Sequence, residues 1–187
     1  MAVANITRLK DGTGVQIRPM TEKDMQASLA FFRALPEEDR ECLRRDVTRP
    51  EVIEERIHEM AVGSVRRLVA VANGEIVADG SLELSRSGWE RHVGELRIIV
   101  ARTFQRKGLG MAMANALYDL AASEDLEEIV VKMIESQAAA RSIFQRLGFR
   151  EETVLRNYVK DSRGTKRNLV LMRCELEDLS REAVVPA

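Results

Sequence analysis

The sequence predicts an α/β (α+β) fold: one domain with a mixed, mostly antiparallel central sheet, helices flanking it, and a parallel strand pair at its ligand site. Three observations predict it. Short β-prone runs broken by tight-turn signals open and close the chain, at Lys10-Asp-Gly-Thr-Gly14, Asn73-Gly74 and Asp161-Ser-Arg-Gly164. Between them, two apolar runs at 93–101 and 128–134 are joined through one helical segment, the pattern of parallel neighbours with a crossover. No repeat, low-complexity segment or linker divides the 187 residues, which suffice for one domain with a substantial core.

Each element has a local reason. Residues 6–9 and 15–18 are extended candidates on either side of the first turn, and Pro19 ends the second. Thr21 with Asp24 three residues on is an N-terminal capping pair. The helix that follows turns Met25, Leu29 and Phe32 to one side until Pro36 breaks it. Residues 37–61 are strongly charged; Leu43 and Val47, then Ile53, Ile57 and Met60, keep helical spacing, so two helices split by Pro50 are expected. His58 falls in the second as a solvated residue. Strands at 68–71 and 75–84 meet at Asn73-Gly74, a type I′ signal. The loop 85–91 holds the only tryptophan, Trp89, expected to cap the core rather than line an acceptor pocket.

Along 93–101, alternation sends Val93, Glu95, Arg97 and Ile99 to one face and Leu96, Ile98 and Val100 to the other. A helix over 110–122 is expected to bury Leu109, Met113, Ala116, Leu117 and Leu120. After the strand at 128–134, a helix over 137–147 turns Ala140, Ile143, Phe144 and Leu147 inward and stops at Gly148. Strands at 153–160 and 166–176 form a last hairpin, and the charged tail 177–187 is expected to fray. The domain is thus read as 1–187 with a core of 15–176.

Charge is balanced, 29 Lys and Arg against 30 Asp and Glu, which argues against a general nucleic-acid binder. Cys42 and Cys174 are too few for a disulfide framework and lack zinc-ligand spacing, so a reduced cytoplasmic setting and no metal are expected. No apolar run reaches membrane-spanning length, and residues 1–8 lack the features of a signal peptide.

The stretch that carries chemistry is Gln105-Arg106-Lys107-Gly108-Leu109-Gly110, followed by Met111 and an apolar helical run. A strand, a basic glycine-bearing loop and a helix N-terminus make an anion site from unpaired N–H groups and the positive dipole end. Gly108 and Gly110 allow positive φ and close backbone approach. On these residues alone, a basic surface turn remains open. A Walker lysine–serine pair and a Gly-x-Gly-x-x-Gly fingerprint are both missing, which ranks a nucleotide-binding module last.

Gln105-x-x-Gly-x-Gly110 resembles the acetyl-CoA pyrophosphate loop of the GNAT superfamily of N-acetyltransferases. Downstream, Gln137-x-x-Ala140-x-x-Ile143-Phe144-x-x-Leu147-Gly148-Phe149 resembles that family's Asn-x-x-Ala-x-x-Leu-Tyr-x-x-x-Gly-Phe helix. The resemblance covers roughly residues 15–176, and 9–19 is similar to the opening of the module in bacterial protein-lysine acetyltransferases. It implies a GNAT-like fold and acetyl transfer from acetyl-CoA to a primary amine of a small molecule or protein, by direct attack in a ternary complex. The alternative is a CoA-binding sensor without efficient transfer.

Residue by residue, the resemblance implies that 105–110 and Met111 cradle the pyrophosphate, that Ile98, Ile99 and Val100 bind pantetheine as a strand would, and that Gln137 and Phe144 complete the donor site. Two departures matter. Phe144 stands where the family has a proton-donating tyrosine, and Gln137 where it has asparagine. Glu95 is the first candidate for general base, against a simple pairing with Arg97; Glu135 is second, and His92 is a third route through water. Tyr158 is the nearest alternative proton source. The acids at 37, 38, 39, 51, 54 and 55 are read as a solvated surface beside the acceptor cleft, with attraction of a cationic amine as the other reading. A homodimer through the terminal hairpin is left open.

Overall fold

A computed structural model describes residues 6–176. It is built on one eight-stranded sheet in the order β1-β2-β3-β4-β5-β6-β8-β7. The strands are β1 (Ile6–Arg8), β2 (Gly14–Pro19), β3 (Val65–Ala72), β4 (Glu75–Leu84), β5 (Val93–Val100), β6 (Glu128–Ile134), β7 (Arg150–Lys160) and β8 (Lys166–Glu175). The helices are α1 (Met25–Ala34), α2 (Glu37–Arg40), α3 (Pro50–Ala61), α4 (Leu109–Ala122) and α5 (Ala138–Arg146). Only β5 and β6 run parallel; every other neighbouring pair is antiparallel. The mixed sheet with a central parallel pair is therefore as the sequence predicts.

Each face of the sheet carries its own core. On one, α4 and α5 pack Leu109, Met113, Leu117 and Phe144 over Leu82, Leu96, Val131 and Met172. On the other, α1 and α3 pack Phe31, Phe32 and Ile53 over Val69 and Ile76. Two glycines permit the close approach of the strands and their cover. A Cβ on Gly80 would lie 2.8 Å from Leu117 Cδ1, and one on Gly94 would lie 2.6 Å from Leu126 Cδ1. Asn73 and Gly74 both take positive φ, as a type I′ turn requires.

The structure corrects three expectations. Residues 41–49 are not helical; only Glu37–Arg40 is, and Pro50 starts α3 rather than dividing two helices. Arg49 ahead of the proline is extended, and the Asp46 carboxylate accepts from the N–H and Oγ of Thr48, holding a turn that competes with helix. Trp89 does not cap the core: it is 90% exposed at a loop tip. Along α4, Ala114 and Ala121 are fully buried, whereas Ala116 and Leu120 are only partly so. Seating Met113 and Leu117 over Gly80 turns these small positions inward. His58 is exposed, as expected, and the tail 177–187 lies outside the described residues.

An ion pair ties β2 to α1. Asp24 accepts from both terminal nitrogens of Arg18 (2.7 and 2.8 Å) and from the Thr21 N–H (2.8 Å), the latter within the expected Thr21–Asp24 capping pair. Arg18, then the Thr21 hydrogen bonds, lower the Asp24 pKa from 3.8 to about 2 against the opposing effect of burial. A depressed carboxylate pKa stabilises the fold above the unfolded value and loses that stabilisation as pH falls through the folded value. Asp24→Asn should therefore be less stable than the parent near neutrality and lose part of the decline between about pH 4 and pH 2; chemical denaturation across that range measures it.

Candidate functional site

The site is made by two strands parting. β5 and β6 pair from Val93↔Glu128 only as far as Leu96↔Val131. β5 stays with β4 as far as Val100↔Ala78, and β6 stays with β8 as far as Ile134↔Leu169. Past Leu96 and Val131 the two strands diverge, and a wedge opens between them. The Ala101 N–H donates to the Val77 carbonyl on the β4 side (2.9 Å). Alternation then turns the backbone polar groups of Ile98 and Val100 into the wedge. The Gln105 side chain donates to the Val100 carbonyl (3.0 Å), fastening the loop to the strand end.

A single 3-10 turn (Arg102–Phe104) leads into that loop. Arg106 and Gly108 take positive φ, 59° and 94°; Gly110 is not among the residues that do. Gly110 instead meets α5: a Cβ there would lie 2.9 Å from Ile143 Cδ1. The loop leans on the first hairpin. Lys10 N–H donates to the Lys107 carbonyl (3.0 Å), and Lys107 Nζ reaches Asp11 (2.9 Å). Ala112 N–H donates to the Gly108 carbonyl, so the N–H groups of Leu109, Gly110 and Met111 lead the helix with no upstream partner in it. Leu109 is fully buried and offers its backbone alone. These N–H groups and the positive end of α4 face the mouth of the wedge with Arg106 and Lys107 beside them, an arrangement suited to a polyphosphate.

The cleft behind the wedge is lined by Ile98 and Ile99 of β5, by Lys132 and Met133 of β6, and by Gln137 and Phe144 at α5. Gln137 turns back on the strand, its Oε1 accepting from the Ile134 N–H (2.9 Å). Phe144 is buried edge-to-face against Phe149, with ring centroids 5.1 Å apart. It packs as a hydrocarbon and carries no proton to donate.

Glu95 stands on the opposite face of β5. Its carboxylate is shared by Arg44, by Lys132 (2.9 Å) and by Arg97 (3.4 Å). Burial alone would raise its pKa, but Lys132, Arg44 and Arg97 outweigh it and hold the carboxyl below its ordinary value. Pairing with Arg97 is thus present as one of three contacts. Glu135 is exposed and accepts from Asn168 Nδ2 (2.8 Å). Tyr158 is 67% exposed on the edge strand β7. Neither lines the cleft, nor does His92; Glu95 is not in the lining either, but three residues that are, Arg44, Arg97 and Lys132, hold its carboxylate.

The sequence reading missed the buried polar floor of the cleft: Arg56, Arg67, Asp79 and Ser81 all line it. Arg56 holds Asp79 through one nitrogen (2.7 and 2.8 Å) and lies over the Phe32 ring (4.7 Å). The signal was there in Asp79, Ser81 and Glu83, polar at every second place of the otherwise apolar run 76–84.

This sheet, splayed at its one parallel pair with a loop and helix end at the opening, is the GNAT fold. Residues 29–149 match the Acetyltransferase (GNAT) family, and the chain belongs to that family, whose donor is acetyl-CoA. Among curated proteins it is similar to the [ribosomal protein bS18]-alanine N-acetyltransferase of Salmonella typhimurium, 31% identical over 74 residues, which are 40% of this chain and 50% of that protein. The chain thus spans about half the length of the curated relatives it matches. Among solved structures, the ribosomal-protein-S5-alanine acetyltransferase of Vibrio fischeri aligns with a TM-score of 0.77 at 16% identity, covering 88% of this chain and 94% of that one. Mycobacterium smegmatis RimJ in complex with CoA-disulfide aligns with a TM-score of 0.76 at 21% identity, covering 94% and 88%. These two likenesses concern the fold.

The two glycines of the loop should fail differently. Gly108→Val forces a β-branched side chain into a left-handed conformation at the helix start, and should raise the KM for acetyl-CoA by about tenfold or more, the effect of ~1–2 kcal/mol. Gly110→Val should mainly lower the melting temperature by pushing on Ile143. Steady-state kinetics and thermal unfolding of both variants separate the roles; an unchanged KM in Gly108→Val refutes the loop assignment.

Proposed function

We propose that the protein is an N-acetyltransferase that moves the acetyl group of acetyl-CoA to a primary amine by direct attack within a ternary complex. The observation that supports it most is the wedge between β5 and β6 with the 105–110 loop at its mouth. Pantetheine takes the place of the missing strand partner, hydrogen-bonding to the backbone of Ile98 and Val100 beside Ile99. The pyrophosphate sits on the loop from Gln105 to Gly110 and on the Met111 turn. Gln137 and Phe144 close the inner end.

The chemistry follows from placement. The amine must be neutral to attack, and a lysine-like amine has a pKa of about 10.4, so a proton has to leave first. Glu95, held ionised by its three cations, accepts it through water. The nitrogen–carbon bond forms, the Val100 N–H meets the developing oxyanion, and the carbon–sulfur bond breaks. With Phe144 inert, the thiolate leaves as such and is protonated by water, which an ordinary thiol pKa of about 8.5 permits. Most of the rate comes from holding the two reactants together. The same proposal takes 1–187 as a single acetyltransferase domain acting in the cytoplasm on a small-molecule or protein amine, with β7 as an edge on which two copies could pair. Among the described residues no helix is long and apolar enough to cross a membrane, and no cluster of three or more potential ligands is placed to hold a metal.

The buried Phe144 favours one rival reading, a CoA-binding sensor that transfers slowly or not at all. Calorimetric titration with acetyl-CoA, CoA and ATP, followed by thiol release over a panel of amines, decides between them. Binding of acetyl-CoA and CoA but not ATP, with turnover of some amine, is the expected result. Binding without turnover of any amine supports the sensor, and no CoA binding sinks both. Because the Glu95 pKa is depressed, its carboxylate is ionised throughout the neutral range, so Glu95→Gln should lower kcat about tenfold or more at every pH from about 6 to 8, with the acetyl-CoA Kd unchanged. A flat response moves the role to Glu135, His92 or water.

A further inference from the structure

The amine side of the cleft carries more positive than negative charge. Six cations line it: Arg44, Arg45, Arg56, Arg67, Arg97 and Lys132. The inward carboxylates they reach are four. Asp79 takes Arg56 (2.7 Å), and Glu59 takes both Arg45 and Arg67 (2.8 Å each). Glu83 takes Arg97 (2.7 Å), and Glu95 is divided among Arg44, Lys132 and Arg97. A fifth carboxylate, Glu55, is reached by Arg45 only at 3.4 Å and lies exposed on the outside of α3. Asp39 also lines the cleft, but its carboxylate is tied to Arg102 (3.0 Å).

Two further facts point the same way. Arg56 and Arg67 are more than nine-tenths buried, and their Nε atoms have no hydrogen-bond partner; the Arg97 Nε has only its long contact with Glu95 (3.4 Å). Burying cations in excess of anions is unfavourable unless something completes the set. Burial, and Arg56 beside it, pull the Arg67 pKa down; burial, and Arg44 beside it, do the same to Arg97. Meanwhile Arg44, Arg45, Arg97 and Lys132 keep a third or so of their side chains open, so each has nitrogen to offer an incoming anion. Four of the six acids that invited a cationic amine in the sequence are paired with cations other than these six: Glu37 with Arg163, Glu38 and Asp39 with Arg102, and Glu51 with Arg49.

We propose that the acceptor is an amine that also carries a carboxylate, which the Arg44, Arg45 and Arg97 guanidiniums bind while the amine faces the thioester. This rests on the acetyl-transfer reading above and narrows its substrate class. A carboxylate between guanidiniums makes charge-assisted, often bidentate hydrogen bonds, stronger than those of a neutral amide in the same place.

The test compares pairs of acceptors that differ only in that group: γ-aminobutyrate against γ-aminobutyramide, and the peptide amide Ala-Asp-Ala against Ala-Asn-Ala. Which pair is turned over separates a small-molecule amine from a peptide N-terminus. Within the accepted pair, the carboxylate should win by about tenfold or more in kcat/KM at saturating acetyl-CoA. Arg44→Gln and Arg45→Gln, both at half-open surface positions, should each remove most of that preference and leave the acetyl-CoA Kd unchanged. Equal rates within both pairs, or a preference that neither variant moves, overturns the inference. Calorimetric binding of the same four compounds needs no turnover. Binding of a carboxylate that depends on Arg44 in a protein without transfer would sink the transfer reading alone; transfer without preference would sink this inference alone.

Discussion

The parting of β5 from β6 after Leu96 and Val131 is the constraint on which the rest of the molecule depends. Two parallel strands that stop pairing while each stays bonded to its outer neighbour leave backbone groups of Ile98 and Val100 facing a gap. Backbone donors and acceptors left without water or partner are unfavourable, so such a gap either closes or is built to receive something. Here it is held open. The sheet's outer pairings fix one wall on each side, α5 sets Phe144, braced by Phe149, at its inner end, and Gln105 and Gln137 each fasten a side chain to one strand end. The helix end and its loop then lie at the mouth because β5 leads directly into them.

The two faces of β5 divide the labour. On the face carrying Leu96, Ile98 and Val100, the sheet packs against α4 and α5. On the face carrying Glu95 and Arg97, it joins an ionic network that runs from α3 through β3, β4 and β5 to β6. Alternation along one strand thus separates a dry wall from a charged one within a few ångströms. The network also brings down the irregular segment 41–49: Arg44 reaches Glu95, Arg102 holds Glu38 and Asp39, and Arg163 of the last turn holds Glu37 and Glu41. Exposed pairs of this kind contribute little singly; together they give a loop with no regular hydrogen bonding a defined position over the cleft.

What the sequence made legible follows from local signals. Asn73-Gly74 and Gly148 announce themselves because their conformations need those residue types. The strand alternation of 93–100 and the helix after Gly108 are readable for the same reason. Two expectations failed where local and tertiary demands differ. Leu43 and Val47 have helical spacing, yet a turn at Asp46–Thr48 and the restriction before Pro50 win; both apolar side chains still face the cleft. Trp89 is large and apolar, but none of the described residues covers its loop. The strand, loop and helix start at 93–111 were readable because backbone geometry makes them and geometry leaves glycine and period-two marks. The charged face of the cleft was not, because its six cations come from four separate elements and an irregular segment, and only the fold assembles them.

The central claim is that the wedge is a strand-shaped site for the donor, and amide hydrogen exchange with and without CoA tests it most directly. Protection should appear at the N–H groups of Ile98 and Val100 and in the first turn of α4, Leu109 to Met111, with Ile99 and Ala101, already bonded toward β4, changing little. Exchange at Ile98 and Val100 that CoA leaves untouched, while CoA binds, would contradict the account.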